Sequence, residues 1–267
     1  MSLIKPVPFS KSLRLKDYST DDTGPFKNKK DGLEALAKNL KKLDELQEKF
    51  FADDRRAILL VFQGMDTSGK GGAIERIVGA FDPQGTRIAS FKAPTKDELS
   101  HDFLWRIHRE LPAKGMIGVF DRSHYEDVLI VRVKNLVSEE VWRGRYAHIR
   151  NFERVAADGG TVILKFFLHI SKAEQKRRLE ARLEEPAKRW KFNPGDLVER
   201  KLWPKYQEAY EEALAQTSRK RAPWFVVPAD HKWFRDLAIS RVIIKTLEGL
   251  DLRFPPSPPG WEKIKIR

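Results

Sequence analysis

Residues 64–72 read GMDTSGKGG. They follow an uncharged apolar run, 57–62, and open a segment whose apolar residues have helical spacing. A glycine-rich turn between a strand and a helix start is a cradle for phosphate, because its backbone N–H groups converge and the helix dipole adds positive potential. The pattern is G-x-x-x-x-G-K, with Gly64, Gly69 and Lys70 in register and Lys70 placed to reach outer phosphates. Gly71 stands where such loops usually carry the Ser or Thr that holds magnesium, and Gly72 follows. The loop carries Asp66 instead. A carboxylate beside bound phosphate needs a cation between them, so Asp66 reads as a Mg²⁺ ligand, directly or through water.

Strand-like and helix-like segments alternate outward from this loop. Strands are expected at 57–62, 86–91, 116–120, 161–170 and 224–227. Helices are expected at 31–52, from the loop to about residue 81, and at 96–111, 138–158, 197–217 and 231–249. Ser171 with Glu174 reads as a capping box for a further, highly charged helix that breaks at Glu185-Pro186. The order implies an α/β/α sandwich, a parallel sheet covered by helices on both sides, in one domain over 31–267 with an N-terminal arm over 1–30 laid on it. Residues 254–260 read as an extended tail. In such sheets ligands bind beyond the carboxyl ends of the strands, where the loops after Phe62, Phe91 and Phe120 all fall.

Asp121 ends the third strand in the Walker-B manner and reads as a second metal ligand; a carboxylate capping the following turn is the plainer alternative. Arg122 next to it suits a bidentate clamp on a transferring phosphoryl group. Residues 184–196 read as a basic, proline-broken lid. Arg178, Arg182, Lys188, Arg189 and Lys191 surround it, and Trp190 and Phe192 interleave with them. The six histidines form no metal-ligand spacing, and His124, beside Arg122, is the one expected to touch phosphate. Phosphoryl transfer needs positioning and charge neutralisation rather than a covalent intermediate, so direct in-line transfer is expected.

Composition narrows the partners. The net charge is +13, an excess that points to a polyanion. There are no cysteines, which excludes disulfides and thiolate chemistry and fits a cytoplasmic protein. No signal-peptide core opens the sequence and no apolar run is long enough to span a membrane, so no membrane partner is expected. No helix-turn-helix or RNA-recognition signature accompanies the charge, so no nucleic-acid partner is expected either.

Seven blocks in order resemble the family-2 polyphosphate kinases: GMDTSGKGG (64–72), SFKAPT (90–95), HDFLWR (101–106), FDRSHYEDVLIVRV (120–133), LKFFLHISKAEQ (164–175), RWKF (189–192) with Gly195-Asp196, and APWFVVPADHKWF (222–234). The resemblance covers nearly all the chain from about residue 30 and is to the single-domain form. It implies a P-loop kinase fold like thymidylate kinase. It implies Mg²⁺-dependent, reversible phosphate transfer between inorganic polyphosphate and nucleotides, with Mn²⁺ as an alternative ion, in a dimer or tetramer. By match to the family's motifs, Asp66, Lys70, Asp121, Arg122 and Arg182 are catalytic, with Arg132 and Lys134 beside the phosphates. Glu126 in SHYED resembles the subgroup that phosphorylates both AMP and ADP. A glutamate there could accept from the adenine amino group, with Phe91, Lys92 and Pro94 lining the nucleoside site. Two positions depart from that subgroup: Asp121, where many members carry Asn, and Gly71, where Asp is common. The competing reading is an ATP-dependent nucleotide kinase of the thymidylate-kinase type.

Overall fold

The computed structural model describes residues 3–9 and 12–266. Five strands form one parallel sheet: β1 (Ala57–Gln63), β2 (Thr86–Ser90), β3 (Ile117–Asp121), β4 (Thr161–His169) and β5 (Trp224–Pro228), in the order β2-β3-β1-β4-β5. β1 is central and buried at every residue, which explains its uninterrupted apolar sequence. Its alternate residues feed two cores. Ile58, Leu60 and Phe62 pack under α1 (Lys29–Asp53), α2 (Lys70–Val78) and α10 (Lys232–Glu248). Leu59 and Val61 face α6 (Glu139–Asp158) and α9 (Trp203–Thr217) on the other side. The fold is therefore a three-layer α/β/α sandwich, and the period-2 alternation of β1 sets its layers.

The chain leaves β1 for the far edge at β2 and returns through β3; it then crosses β1 to reach β4. The order therefore reverses around β1, and the crevice opens at the end of that strand, where residues 64–72 lie. Residues 3–9 run along the free edge of β5: Pro6 bridges Phe225 in antiparallel fashion, Val7 N donates to Trp224 O at 2.7 Å, and Ser218 Oγ donates to Val7 O at 2.6 Å. That contact covers an otherwise open sheet edge.

Four local expectations change. The helix expected over 96–111 is two short ones, α3 (Lys96–Leu99) and α4 (Trp105–His108). Ser100 Oγ donates to Asp97 O and Asp102 Oδ1 accepts from Leu104 N, so these side chains compete with the helical ladder. The helix expected over 197–217 is divided into α8 (Gly195–Lys201) and α9, because Pro204 has no N–H to carry the ladder through. The expected lid loop contains a 3₁₀ helix, Pro186–Lys191. The capping box at α7 (Lys172–Glu184) is only half made. Ser171 Oγ accepts from Glu174 N at 3.0 Å, but Ser171 N donates to Asp230, leaving the Glu174 carboxylate for Arg177 and Arg178.

Candidate active site

The loop from Gly64 to Gly69 is shaped by its backbone. Gly69, at φ 96°, turns the chain into α2, and a side chain there would strike the Arg235 guanidinium. Thr67, at φ 64°, occupies the left-handed region without glycine's freedom, a strain of about 1–3 kcal/mol that the surroundings must hold. Buried side chains do so. Arg178 donates to Thr67 O at 3.0 Å and Ser68 O at 2.8 Å, Gln175 to Asp66 O at 3.0 Å, and Arg235 to Gly69 O at 3.1 Å. Lys70 closes the loop from inside, its Nζ 2.8 Å from Gly64 O. Burial, the largest influence, pulls the Lys70 ammonium below its ordinary pKa, and Arg122 adds to this, while Asp66, Asp121 and Glu126 work against it.

Arg122 also sits in the left-handed region, at φ 63°. Its N–H donates to Phe62 O at the end of β1, and its guanidinium lies 3.0 Å from Asp66 Oδ1. The structure thus brings Asp66, Lys70, Asp121 and Arg122 to one cavity of about 610 Å³, together with Gly69, Gly71 and Gly72. Thr67, Glu75, Ser90, Phe91, Lys92, Arg182 and Lys191 complete its walls. A Cβ at Gly71 would meet nothing within 4 Å, so packing does not exclude a Ser or Thr there; what the glycine removes is a hydroxyl.

Two further cavities adjoin this one on different sides. One, of about 300 Å³, runs between the loop and the lid and carries Arg177, Arg182, Lys188, Lys191 and Lys232. The other, of about 370 Å³, lies between Asp66, Arg122 and Glu126 and is walled by Tyr206 and Tyr210. Lys134 reaches this second cavity paired with Glu199. Arg182 Nη1 donates to Asp196 Oδ2 and to Lys191 O, which ties α7 to the lid.

Several expected site residues lie elsewhere. His124 is fully buried, packed against Tyr125 and Phe152 with Nε2 3.5 Å from Glu153, and cannot touch phosphate. Arg178 does line the basic cavity between loop and lid, but its guanidinium is taken up by Glu174 and by backbone carbonyls, including Ala229 O, so it fastens the loop. Arg132 pairs with Glu212 at 2.6 Å over the Trp142 ring, outside the three cavities. Arg189 donates back to Leu183 O, and Pro94 is exposed beyond the cavity walls. The nucleoside site expected from Phe91, Lys92 and Glu126 is divided: the first two line one cavity and Glu126 another. Sequence reading missed Gln175, Arg235, Tyr206 and Tyr210. For Arg235 a signal existed: a charge on the apolar stripe of α10.

Two hydroxyls of the loop, Thr67 Oγ1 and Ser68 Oγ, are buried without a hydrogen-bond partner among the described residues. Buried polar atoms of that kind at a strand–helix turn fit a phosphate ligand. Asp66 and Asp121, both on the cavity wall, supply the hard oxygen donors that suit Mg²⁺ shared with substrate phosphates.

The Polyphosphate kinase 2 family model matches residues 27–255. The chain belongs to the polyphosphate kinase 2 family. It is an enzyme of that kind, a kinase. It is 51% identical over 253 residues to the AMP/ADP-polyphosphate phosphotransferase of Meiothermus ruber, covering 94% of this chain and 95% of that one. To the ADP-polyphosphate phosphotransferase of Rhodopseudomonas palustris it is 45% identical, over 89% of this chain and 86% of the other. The crystal structure of Polyphosphate Kinase 2 from Arthrobacter aurescens superposes with a TM-score of 0.90 at 45% identity, over 95% of each chain.

In this member of the polyphosphate kinase 2 family, Glu126 carries a testable electrostatic mark. Burial, the largest influence, raises its carboxyl above the ordinary 4.5; Arg122 and Lys70 pull it back and Asp66 adds to the rise. With its amide oriented to satisfy both neighbours, Gln63 donates to Glu126 Oε1 at 3.0 Å and accepts from Ser123 N at 3.1 Å. The folded state therefore holds this proton to higher pH than the unfolded state does. Stability falls as pH rises from the unfolded pKa through the folded one. Glu126→Gln removes the effect, so its Tm relative to the parent should rise between pH 4 and pH 7. Thermal melts at the two pH values check this; a difference that is flat or falls with pH contradicts it.

Proposed function

We propose that this enzyme transfers the terminal phosphate of inorganic polyphosphate to AMP and ADP, reversibly and by direct in-line attack with Mg²⁺. The observation that carries this reading is the pair of different cavities on either side of the 610 Å³ cavity at the phosphate loop: one, walled by lid cations, shares Arg182 and Lys191 with it, and the other, walled by Glu126 and two tyrosines, shares Asp66 and Arg122 with it. A basic groove suits a chain of phosphates, held largely by counterion release. A cavity with two tyrosine walls suits a nucleoside, with Glu126, one of four carboxylates lining it beside Asp66, Asp196 and Glu199, accepting from an exocyclic amine. The relatives named above as AMP/ADP- and ADP-polyphosphate phosphotransferases support the same substrates.

In this reading Lys70 and the N–H groups of the loop hold the phosphates at the junction. Arg122 and Arg182 face the charge that develops on the transferring group from two sides. Asp66 and Asp121 would hold Mg²⁺, which when bound supplies neutralising charge to the phosphate oxygens. The lid closes over the junction and excludes water, so that hydrolysis does not compete.

Protein, Mg²⁺, AMP and long-chain polyphosphate should yield ADP and then ATP, resolved by chromatography. No product above a Lys70→Ala control would refute the proposal. Arg182→Ala should lower kcat by about 10²-fold with KM for ADP changed less than about threefold, because a cation aimed at developing charge acts on the transition state. Steady-state kinetics decide this; a rise in KM at constant kcat would make Arg182 a binding residue only.

A further inference from the structure

A second basic concavity lies at the opposite end of the sheet. It has a volume of about 320 Å³ and is lined by Arg150 and Arg154 of α6 together with Arg219, Lys220 and Arg221 of the turn before β5. Trp224 begins β5, and the catalytic junction lies beyond the carboxyl ends of the parallel strands. The two places are thus separated by at least the length of β5, roughly 17 Å at ~3.3 Å per residue.

Surface cations are usually solvated and unremarkable, but these are arranged. Residues 219–222 form a closed turn: Arg219 N donates to Ala222 O at 3.3 Å, and Ala222 N to Arg219 O at 3.0 Å. The Arg219 guanidinium is fixed over the Phe9 ring, 3.8 Å from its centroid, and donates to Ser218 O. Arg150 is anchored on Gln216 O. The acids on hand do not balance the set. Among the described residues Asp158 alone is paired with Arg154 and Arg221, and it serves both. Glu153, which also lines the concavity, is turned inward to Lys165 at 2.7 Å. Burial, and next the nearby Arg150, pull the Arg219 guanidinium below its ordinary pKa, a repulsion that an anion between them would relieve.

We infer that this concavity is a distal dock for the polyphosphate chain, gripping a stretch of the same polymer whose end is at the catalytic junction. The inference rests on polyphosphate being the substrate. A nucleotide or free phosphate is too small to occupy both places; a long flexible polyanion can, and its second contact then acts at high effective concentration. The dock therefore makes the enzyme prefer long chains without touching the chemistry.

The variant Arg154→Gln/Lys220→Gln/Arg221→Gln tests this at exposed positions. KM should be measured for polyphosphate of several hundred residues and for tripolyphosphate, with ADP as acceptor. The expected result is a rise of about tenfold in KM for the long chain, with unchanged kcat and an unchanged KM for tripolyphosphate and ADP. The salt dependence of KM for the long chain should also flatten in the variant. Equal KM values for variant and parent with both donors overturn the dock and leave the proposed function standing, as does an equal rise with both donors. A parent enzyme that uses neither donor overturns the proposed function and takes the dock with it. Homopolymeric RNA that binds the parent in preference to polyphosphate, and loses that binding in the variant, would reassign the concavity to nucleic acid.

Discussion

Arg122→Ala is expected to lower kcat by about 10³-fold while moving KM for the nucleotide less than about fivefold. The expectation rests on where the strained backbone places this side chain. At φ 63° the residue turns off the end of β3 and its guanidinium crosses to Asp66, on the wall common to two cavities. Burial works against its charge, but Glu126 and Asp66 outweigh that and hold the guanidinium above its ordinary pKa. The cation is thus already in place, partly desolvated, before any phosphate arrives, which is the condition for acting on developing charge. Arg122→Lys should recover only about tenfold of the loss, since an ammonium cannot make the bidentate contact. The Tm should change little in both variants, because an ion pair this exposed contributes at most about 1 kcal/mol. Stopped-flow or steady-state transfer assays beside thermal melts separate these effects. A loss confined to KM would move Arg122 from the catalytic to the binding residues.

The largest effect on stability is expected far from the substrate. Lys165, in the middle of β4, is wholly buried and donates to both carboxylate oxygens of Glu153, to Tyr125 Oη at 2.8 Å and to Thr217 O at 2.9 Å. Tyr125 Oη in turn lies 2.7 Å from Glu153 Oε1 and 2.9 Å from Thr217 Oγ1, its one proton serving one of them, and Thr217 Oγ1 also accepts from Trp224 Nε1 at 2.9 Å. Lys165→Met leaves the Glu153 carboxylate buried and unpaired, at a cost of about 3–5 kcal/mol. For a chain of this size that is a fall in Tm of roughly 10 °C. Replacing Glu153 by Met as well should restore most of the loss, because an apolar pair of similar volume removes the uncompensated charge. Urea titration of the two variants measures both steps; a single-variant loss below about 1 kcal/mol would mean the charges are not coupled. Tyr125 precedes Glu126 in the loop after β3, so the same network anchors a wall of the second cavity from behind.

How far the sequence carries depends on the kind of signal. Apolar runs and their period located all five strands, and the G-x-x-x-x-G-K spacing located the cradle, because both are patterns in neighbouring residues. The helix breaks at Ser100–Asp102 and at Pro204 were local too, but they were masked by good helical spacing on either side. What could not be read was the use of charge. Arg178 and Arg182 stand one turn apart on α7, both in a stretch rich in cations. One is locked into the carbonyls of the loop and the other faces the cavity. His124 looks like a neighbour of Arg122 in sequence, yet the turn at Arg122 sends the histidine into the core. Pairing across 50 residues or more, as between Lys165 and Thr217, leaves no periodic trace.

The fastening of the phosphate loop has a kinetic consequence. With Arg178, Gln175 and Arg235 each holding a loop carbonyl, the ordering of the cradle is completed when the chain folds and is not demanded again at each encounter with substrate. Conformational entropy lost on binding must then come from elsewhere, and the exposed 3₁₀ segment of the lid, with Trp190 79% accessible to solvent, is where freedom remains to be lost. In the proposed mechanism the step left to set the tempo of turnover is the settling and lifting of that segment, with the cradle as a fixed anvil beneath it.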